Sequence, residues 1–292
     1  MRKEASYFDG KRAWVTCQKN PVGAANDRRL WRERCEIVLA DRSQLDLVRQ
    51  SEVEGWFRQQ KPDLVFMTGE APNRLSDGAA GPASVLHGRL AATVNILAAA
   101  RAARVDAVVN VTAWGGASAG GTAPSDKALA GLAASRLMQG FARDEGCRFA
   151  VLLVNPECAS PDLADAFRRL SEAESRAEPE VEIPIEGGAV PPALLHADDL
   201  ADAAVFLARS YAGAHPVHCD SDDATLDEVL RILASRAGYT GRVVLRRGMR
   251  APSERLVESI GIRSLGWRPA VPIRQRVLDL DAAWLRENAS AI

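Results

Sequence analysis

The sequence predicts an α/β fold, a doubly wound parallel sheet followed by a smaller C-terminal α/β lobe, on three observations. Apolar runs of strand length alternate with helical runs through the first half of the 292-residue chain. The first run ends in a tight turn that feeds directly into a helix. The strand-like runs are continuous rather than alternating, as strands covered by helices on both faces must be.

In order, residues 13–15 read as the first strand, and Val22, Ala25 and Leu30 recur at helical spacing behind it. A strand at 35–40 (CEIVLA), a helix near 53–60 and a strand at 62–68 (PDLVFMT) follow. Next come a long alanine-rich helix at 83–103, a strand at 106–112 (DAVVNVT), a second long helix at 126–145 and a strand at 148–155. The ligand crevice of such a sheet lies beyond the carboxyl ends of its strands.

The second half is less regular. Residues 171–182 (SEAESRAEPEVE) read as a charged connector and 184–192 (PIEGGAVPP) as a turn-rich loop. LLHADDLADAAVFLARS reads as a short strand into a helix capped by Asp198 or Asp199. Thr225 and Glu228 form a capping box for a helix that stops at Gly238. A strand (GRVVLRR) and a last helix over 273–288 complete the tail. The expected division is a nucleotide-binding domain over 1–160 and a region over 161–292 that is mostly substrate lobe, with 194–220 returning to the first domain.

Composition narrows the function. With 47% hydrophobic residues the chain can bury a large core, and 37 basic against 38 acidic residues give a net charge of −1. That balance supplies no field to gather nucleic acid or an anionic membrane. No apolar run reaches the roughly 20 residues of a membrane helix, and the start, MRKEASYFDG, has no apolar leader core, so a cytoplasmic protein is expected. Cys17, Cys35, Cys147, Cys158 and Cys219 are widely spaced, without a Cys-x-x-Cys pair or clustered histidines. Reduced thiols are expected, with neither a metal site nor a disulfide frame.

The chemistry turns on residues 13–30, AWVTCQKNPVGAANDRRL. In a dinucleotide loop of the form GxxGxxG, glycines let the backbone approach a pyrophosphate seated on helix N–H groups. Here the three places fall on Cys17, Asn20 and Gly23. Side chains at the first two would crowd the pyrophosphate, although Asn tolerates positive φ, and Pro21 removes one N–H donor. After the second strand, Asp41 could accept from a ribose 2'-OH and Arg42 could meet a 2'-phosphate. NAD or NADP is therefore a possible cofactor, bound weakly or not at all.

Several segments together resemble the extended short-chain dehydrogenase/reductase family, and most closely its GDP-fucose synthase branch. They are SQLDL (43–47), KPDLVF (61–66), Asn95, LLHADDLADAA (194–204), GYTGRVV (238–244), SLGWRP (264–269) and WLREN (284–288). The resemblance covers about residues 11–290 and implies a Rossmann-type domain with a substrate lobe, with Asp46 beside the adenine. It also implies a Tyr-x-x-x-Lys pair, because hydride transfer to a ketone leaves an oxyanion that needs a proton. Counted without gaps, the Tyr place falls on Lys127 and the Lys place on Gly131. The tyrosines are Tyr7, Tyr211 and Tyr239, and Lys127 is the only lysine after Lys61. The chain is thus expected to hold no Tyr-x-x-x-Lys at all. The Cys and His that act on neighbouring carbons in that branch would fall on Gly115 and Pro161, and its substrate-lobe Arg on Pro192.

Candidate catalytic residues are Thr112, Lys127 and Cys158; Thr112 could take the Ser/Thr role, although the stricter match falls on Ala113. The plainer alternatives are a solvated Lys127 in the first turn of a helix and an inert Cys158. His196 is expected to be structural. The family implies that the two long helices pair with their mates in a four-helix bundle, giving a homodimer or a heterodimer with a paralogue. The expected function is a non-redox binding or partner subunit tied to nucleotide-sugar ligands. The alternatives are changed chemistry at Thr112, Lys127, Glu157 or Cys158, and an ordinary NADP-dependent sugar-nucleotide reductase.

Overall fold

The computed structural model describes residues 6–18, 20–40, 45–68, 82–113, 126–143, 147–154, 161–186, 195–219, 225–248 and 258–279. In chain order the elements are β1 (Arg12–Val15), α1 (Pro21–Arg32), β2 (Glu36–Val38), α2 (Gln50–Gln60), β3 (Leu64–Thr68), α3 (Pro82–Ala102), β4 (Ala107–Ala113), α4 (Asp126–Phe141) and β5 (Arg148–Val154). They continue with α5 (Pro161–Ser175), β6 (Glu180–Glu186), α6 (Ala197–Ser210), β7 (Val217–Cys219), α7 (Leu226–Ala237), β8 (Arg242–Gly248), β9 (Ile260–Gly261), a 3-10 turn (Ile262–Leu265) and α8 (Ile273–Leu278). Two compact units emerge. The first comprises Met1–Val154, Ala197–Cys219 and Arg255–Arg268; the second comprises Asn155–His196, Asp220–Glu254 and Pro269–Ile292.

The first unit carries a seven-stranded sheet in the order β2-β1-β3-β4-β5-β7-β9. Every pairing is parallel. The chain leaves β1 to one side for β2 and returns to the other side for β3, so the switch in strand order falls between β1 and β3. One face of the sheet is sealed by Trp14, Val65, Met67, Val108, Phe149 and Val151 packing against Val53 and Phe57 of α2, Ile96 and Ala100 of α3 and Met138 of α4. The other face lies under α1 and α6, which pack on each other. Those two helices are tied by Arg28 to Asp198 at 2.7 Å and by Arg29 to Asp202 at 2.8 Å.

The second unit holds a two-stranded parallel sheet, β6 with β8. Here the expected connector over 171–182 is corrected. Its first part is the end of α5 and its last part the start of β6. The charges that suggested a connector line the solvent side of α5, where Arg168 pairs with Asp165 and with Glu172. Ala166, Leu170 and Ala173 lie buried on its other side. In β6, buried Val181 and Ile183 alternate with exposed Glu180 and Glu182, the period of a half-buried strand. Residues 184–186 continue that strand, so only the remainder of the expected loop falls outside the described residues.

Two smaller corrections concern α6 and the tail. Leu195 and His196 form no strand, and α6 starts at Ala197. Asp198 and Asp199 therefore sit inside the first turn instead of at the cap, where their charge still favours the positive end of the helix. His196 faces Asp279 at 3.3 Å within the second unit. Of the helix expected over 273–288, α8 is described as far as Leu278.

Candidate nucleotide site

The carboxyl ends of β1 and β3, with the N-terminus of α1 between them, form the corner where a doubly wound sheet takes a nucleotide. Asn20 is the N-cap of α1, with φ −84° and ψ 158°. Extended backbone is what an N-cap requires, so the tolerance of Asn for positive φ is not used here. Its Oδ1 accepts from the Gly23 amide at 2.6 Å, and its Nδ2 donates to the Thr68 carbonyl at 3.0 Å. One side chain thus crosses from the helix to the end of β3.

The rest of the loop is drawn the same way. The Thr16 amide donates to Phe66 O at 3.0 Å, the Thr68 amide donates to Thr16 Oγ1 at 3.3 Å, and Thr68 Oγ1 donates to Cys17 O at 3.4 Å. Gly23 is obligatory here, because a Cβ on it would lie 1.7 Å from the Cys17 carbonyl oxygen. That is the packing duty of the third glycine in a dinucleotide loop. One turn further along α1, Asp27 meets Gln18 Nε2 at 3.4 Å, and burial pushes its carboxyl up to about 6. Neither Asp27 nor Thr68 stood out in the sequence. For Asp27 the usable signal was its position four residues after Gly23, on the same helix face.

Two features of the described loop bear on a dinucleotide. The Gly23 N–H, one of the donors at the α1 N-terminus, is taken by Asn20, and Pro21 contributes no donor. Asp41 and Arg42 lie outside the described residues. Asp46 closes its own turn: its Oδ1 accepts from the Val48 amide at 3.1 Å, and Arg49 lies 3.5 Å away. That turn is anchored by Asn95, whose Nδ2 donates to both Leu47 O and Val48 O at 2.9 Å.

Thr112 sits near the carboxyl end of β4, opposite Leu153 of β5, half-buried on the crevice edge of the sheet. Lys127 falls in the first turn of α4; its side chain lies outside the described residues, as does Cys158. Among the described residues no three His, Cys, Asp or Glu side chains are grouped to hold a metal ion. No described helix is long and apolar enough to cross a membrane.

The tyrosines are all described. Tyr7 precedes β1, and its hydroxyl meets the Arg148 guanidinium at the start of β5. Tyr211 directly follows α6 and donates to His215 O at 2.7 Å, just ahead of β7. Tyr239, in the second unit, packs with Leu230, Leu233 and Val277. The expectation that the chain holds no Tyr-x-x-x-Lys is corrected, because Tyr7 and Lys11 have that spacing. Lys11 Nζ lies 3.7 Å from the centre of the Tyr7 ring and pairs with Asp106. The pair stands at the amino edge of the sheet, a strand length of roughly 20 Å from the crevice edge.

A doubly wound parallel sheet with a nucleotide-type loop at the strand switch defines a Rossmann-type protein, and the chain belongs to the NAD dependent epimerase/dehydratase family, whose model matches residues 8–219. Among its relatives is a GDP-L-fucose synthase of Sinorhizobium fredii (strain NBRC 101917 / NGR234), 27% identical over 296 residues that cover 90% of this chain and 91% of the relative. Similar solved structures include a GDP-mannoheptose C4 reductase from Campylobacter jejuni with NADP bound, at TM-score 0.65 and 18% identity over 97% of this chain and 99% of that one. Another is a GDP-L-fucose synthetase from Naegleria fowleri bound to NADP, at TM-score 0.67 and 12% identity over 100% and 97%.

Proposed function

We propose that this relative of GDP-L-fucose synthase works by binding instead of by redox chemistry, as a partner subunit or a receptor for a nucleotide-sugar ligand. The observation that carries the reading is the placement of its three tyrosines. Tyr7 and Tyr211 stand at the amino edge of the sheet, and Tyr239 packs inside the apolar cluster of the second unit. Reduction of a sugar ketone needs a proton donor beside the carbonyl oxygen, and a phenol at the wrong edge cannot deliver one. The cofactor loop supports the same reading, since its glycine places carry Cys17 and Asn20, and weak binding of NAD or NADP is what that loop favours.

Dimerisation belongs to the proposal. Helices α3 and α4 pack side by side and leave Val94 and Leu129 exposed. Two such apolar faces brought together would form a four-helix bundle, with a second copy or with a paralogue.

The test is direct. Purified protein is mixed with NADPH and a GDP-4-keto-6-deoxysugar, and nucleotide oxidation is followed spectrophotometrically. No turnover above the enzyme-free rate is expected, together with a rise in melting temperature on adding GDP-, UDP- or dTDP-sugars. Sustained oxidation of NADPH would overturn the proposal.

A further inference from the structure

We infer that Asn20 is a built-in occupant of the pyrophosphate seat, and that this one side chain sets how weakly the crevice takes a dinucleotide. Asn20 does more than replace a glycine. Its carbonyl oxygen takes the Gly23 N–H at 2.6 Å and its amide nitrogen gives a hydrogen to Thr68 O at 3.0 Å. The two partners fix which end of the amide is which, because an N–H can only donate and a carbonyl only accept.

The bridge spans the gap between the α1 N-terminus and the β3 carboxyl end, the place where strand order reverses. A phosphate oxygen and Asn20 Oδ1 want the same hydrogen. Binding a dinucleotide therefore requires the side chain to swing out, releasing both bonds and leaving Thr68 O to find water. The surrounding bonds from Thr16 and Thr68 hold the loop against β3, so the backbone around the bridge is already fixed. Of the loop's features, the Asn20 side chain is the one that can swing aside.

This inference deepens the binding reading above and rests on it only for the expectation that dinucleotide affinity is low in the natural chain. It is tested by titrating NADP into the wild-type protein, Asn20→Gly and Asn20→Ser by isothermal titration calorimetry, with no substrate present. Glycine removes the competing acceptor and opens the seat. Serine can keep the helix cap but cannot reach Thr68 O, which protects folding while breaking the bridge. The expected order of affinity is Asn20→Gly, then Asn20→Ser, then wild type, with the glycine variant at least about tenfold tighter than wild type.

Equal affinities across the three proteins, or no detectable binding by any of them, would overturn the inference. If Asn20→Gly fails to fold, the comparison of Asn20→Ser with wild type decides in the same way. The two proposals fail separately. NADPH turnover by the wild-type chain would remove the binding reading and leave this ranking of affinities to be measured, whereas unchanged affinity in the variants would remove only the role given to Asn20.

Discussion

The Trp267 indole donates to Asp202 Oδ2 at 2.9 Å, and the other oxygen of that carboxylate takes Arg29 Nε at 2.8 Å. A single acid on α6 thereby ties α1 to the segment that follows the 3-10 turn. Trp267 is buried, and the acid is the partner that ties its N–H to α6. Asp202→Ala should lower stability to urea by about 1 kcal/mol, with Asp202→Asn losing less because an acceptor survives. Equal stability of the alanine variant and the wild type would show that the bridge is incidental.

The glycine at position 23 is a second point of strain in waiting. Gly23→Ala would set a methyl carbon 1.7 Å from a backbone oxygen, where no side-chain adjustment can relieve it. The loop or the helix must shift, and a loss of about 3 kcal/mol in unfolding free energy is expected. Chemical denaturation of the variant checks this. A loss within experimental error would mean that the loop sits further from α1 than described.

Asp27 gives the protein a pH signature. Burial raises its folded pKa from 3.8 to about 6, with Gln18 opposing the shift. An acid raised in the folded state adds stability below its unfolded pKa, and that stability is lost as pH rises through the folded value. Melting temperature should therefore climb as pH falls from 7.5 towards 5. Asp27→Asn should flatten that climb and stabilise the protein at pH 7.5, by on the order of 1 kcal/mol after allowing for partial solvent screening. A variant that keeps the full pH dependence would place its origin elsewhere.

Burial also governs the thiols. It pushes Cys35 up to about 11 and Cys147 up to about 12, far above neutral pH. Because the thiolate is the nucleophile, iodoacetamide at pH 7.5 should label these two sites only as the chain unfolds. Peptide mass spectrometry on native and urea-treated samples measures the difference. Rapid labelling of either site in the native protein would contradict the burial described.

The proposed bundle of α3 and α4 makes its own prediction. The wild-type protein should scatter light as twice the chain mass, and Val94→Glu combined with Leu129→Glu should return it to a monomer with its melting behaviour otherwise near normal. Carboxylates in an apolar interface cannot be solvated, whereas on a free surface they cost little. A wild-type monomer at micromolar concentration would remove dimerisation from the proposal.

Local chemistry made much of this molecule legible. Thr225 caps α7 by accepting from the Glu228 amide at 3.2 Å, and Gly238 ends that helix with φ +78°, both positions set by side chains within a turn of the boundary. The parallel strands of the first unit were readable because continuous apolar runs of their length have few other uses. Helix α5 and strand β6 were hidden because Ala166, Leu170, Val181 and Ile183 are spread among many charges, and only packing reveals that they share a side. At the site, the replaced glycines were plain. What Asn20 does was not, since its partner Thr68 lies 48 residues away and no local spacing encodes that meeting. Tyr7 and Lys11 teach the converse, for their spacing imitates a reactive pair while the fold stations them at the far edge of the sheet.

Because Gly23 is demanded by the Cys17 carbonyl, the loop needs it whether or not a cargo is carried. Of the three glycine places in such a loop, the first two answer to the ligand and the third to the backbone itself. A lone survivor of that kind testifies to architecture, and it should not be counted as a vote for an occupied pocket.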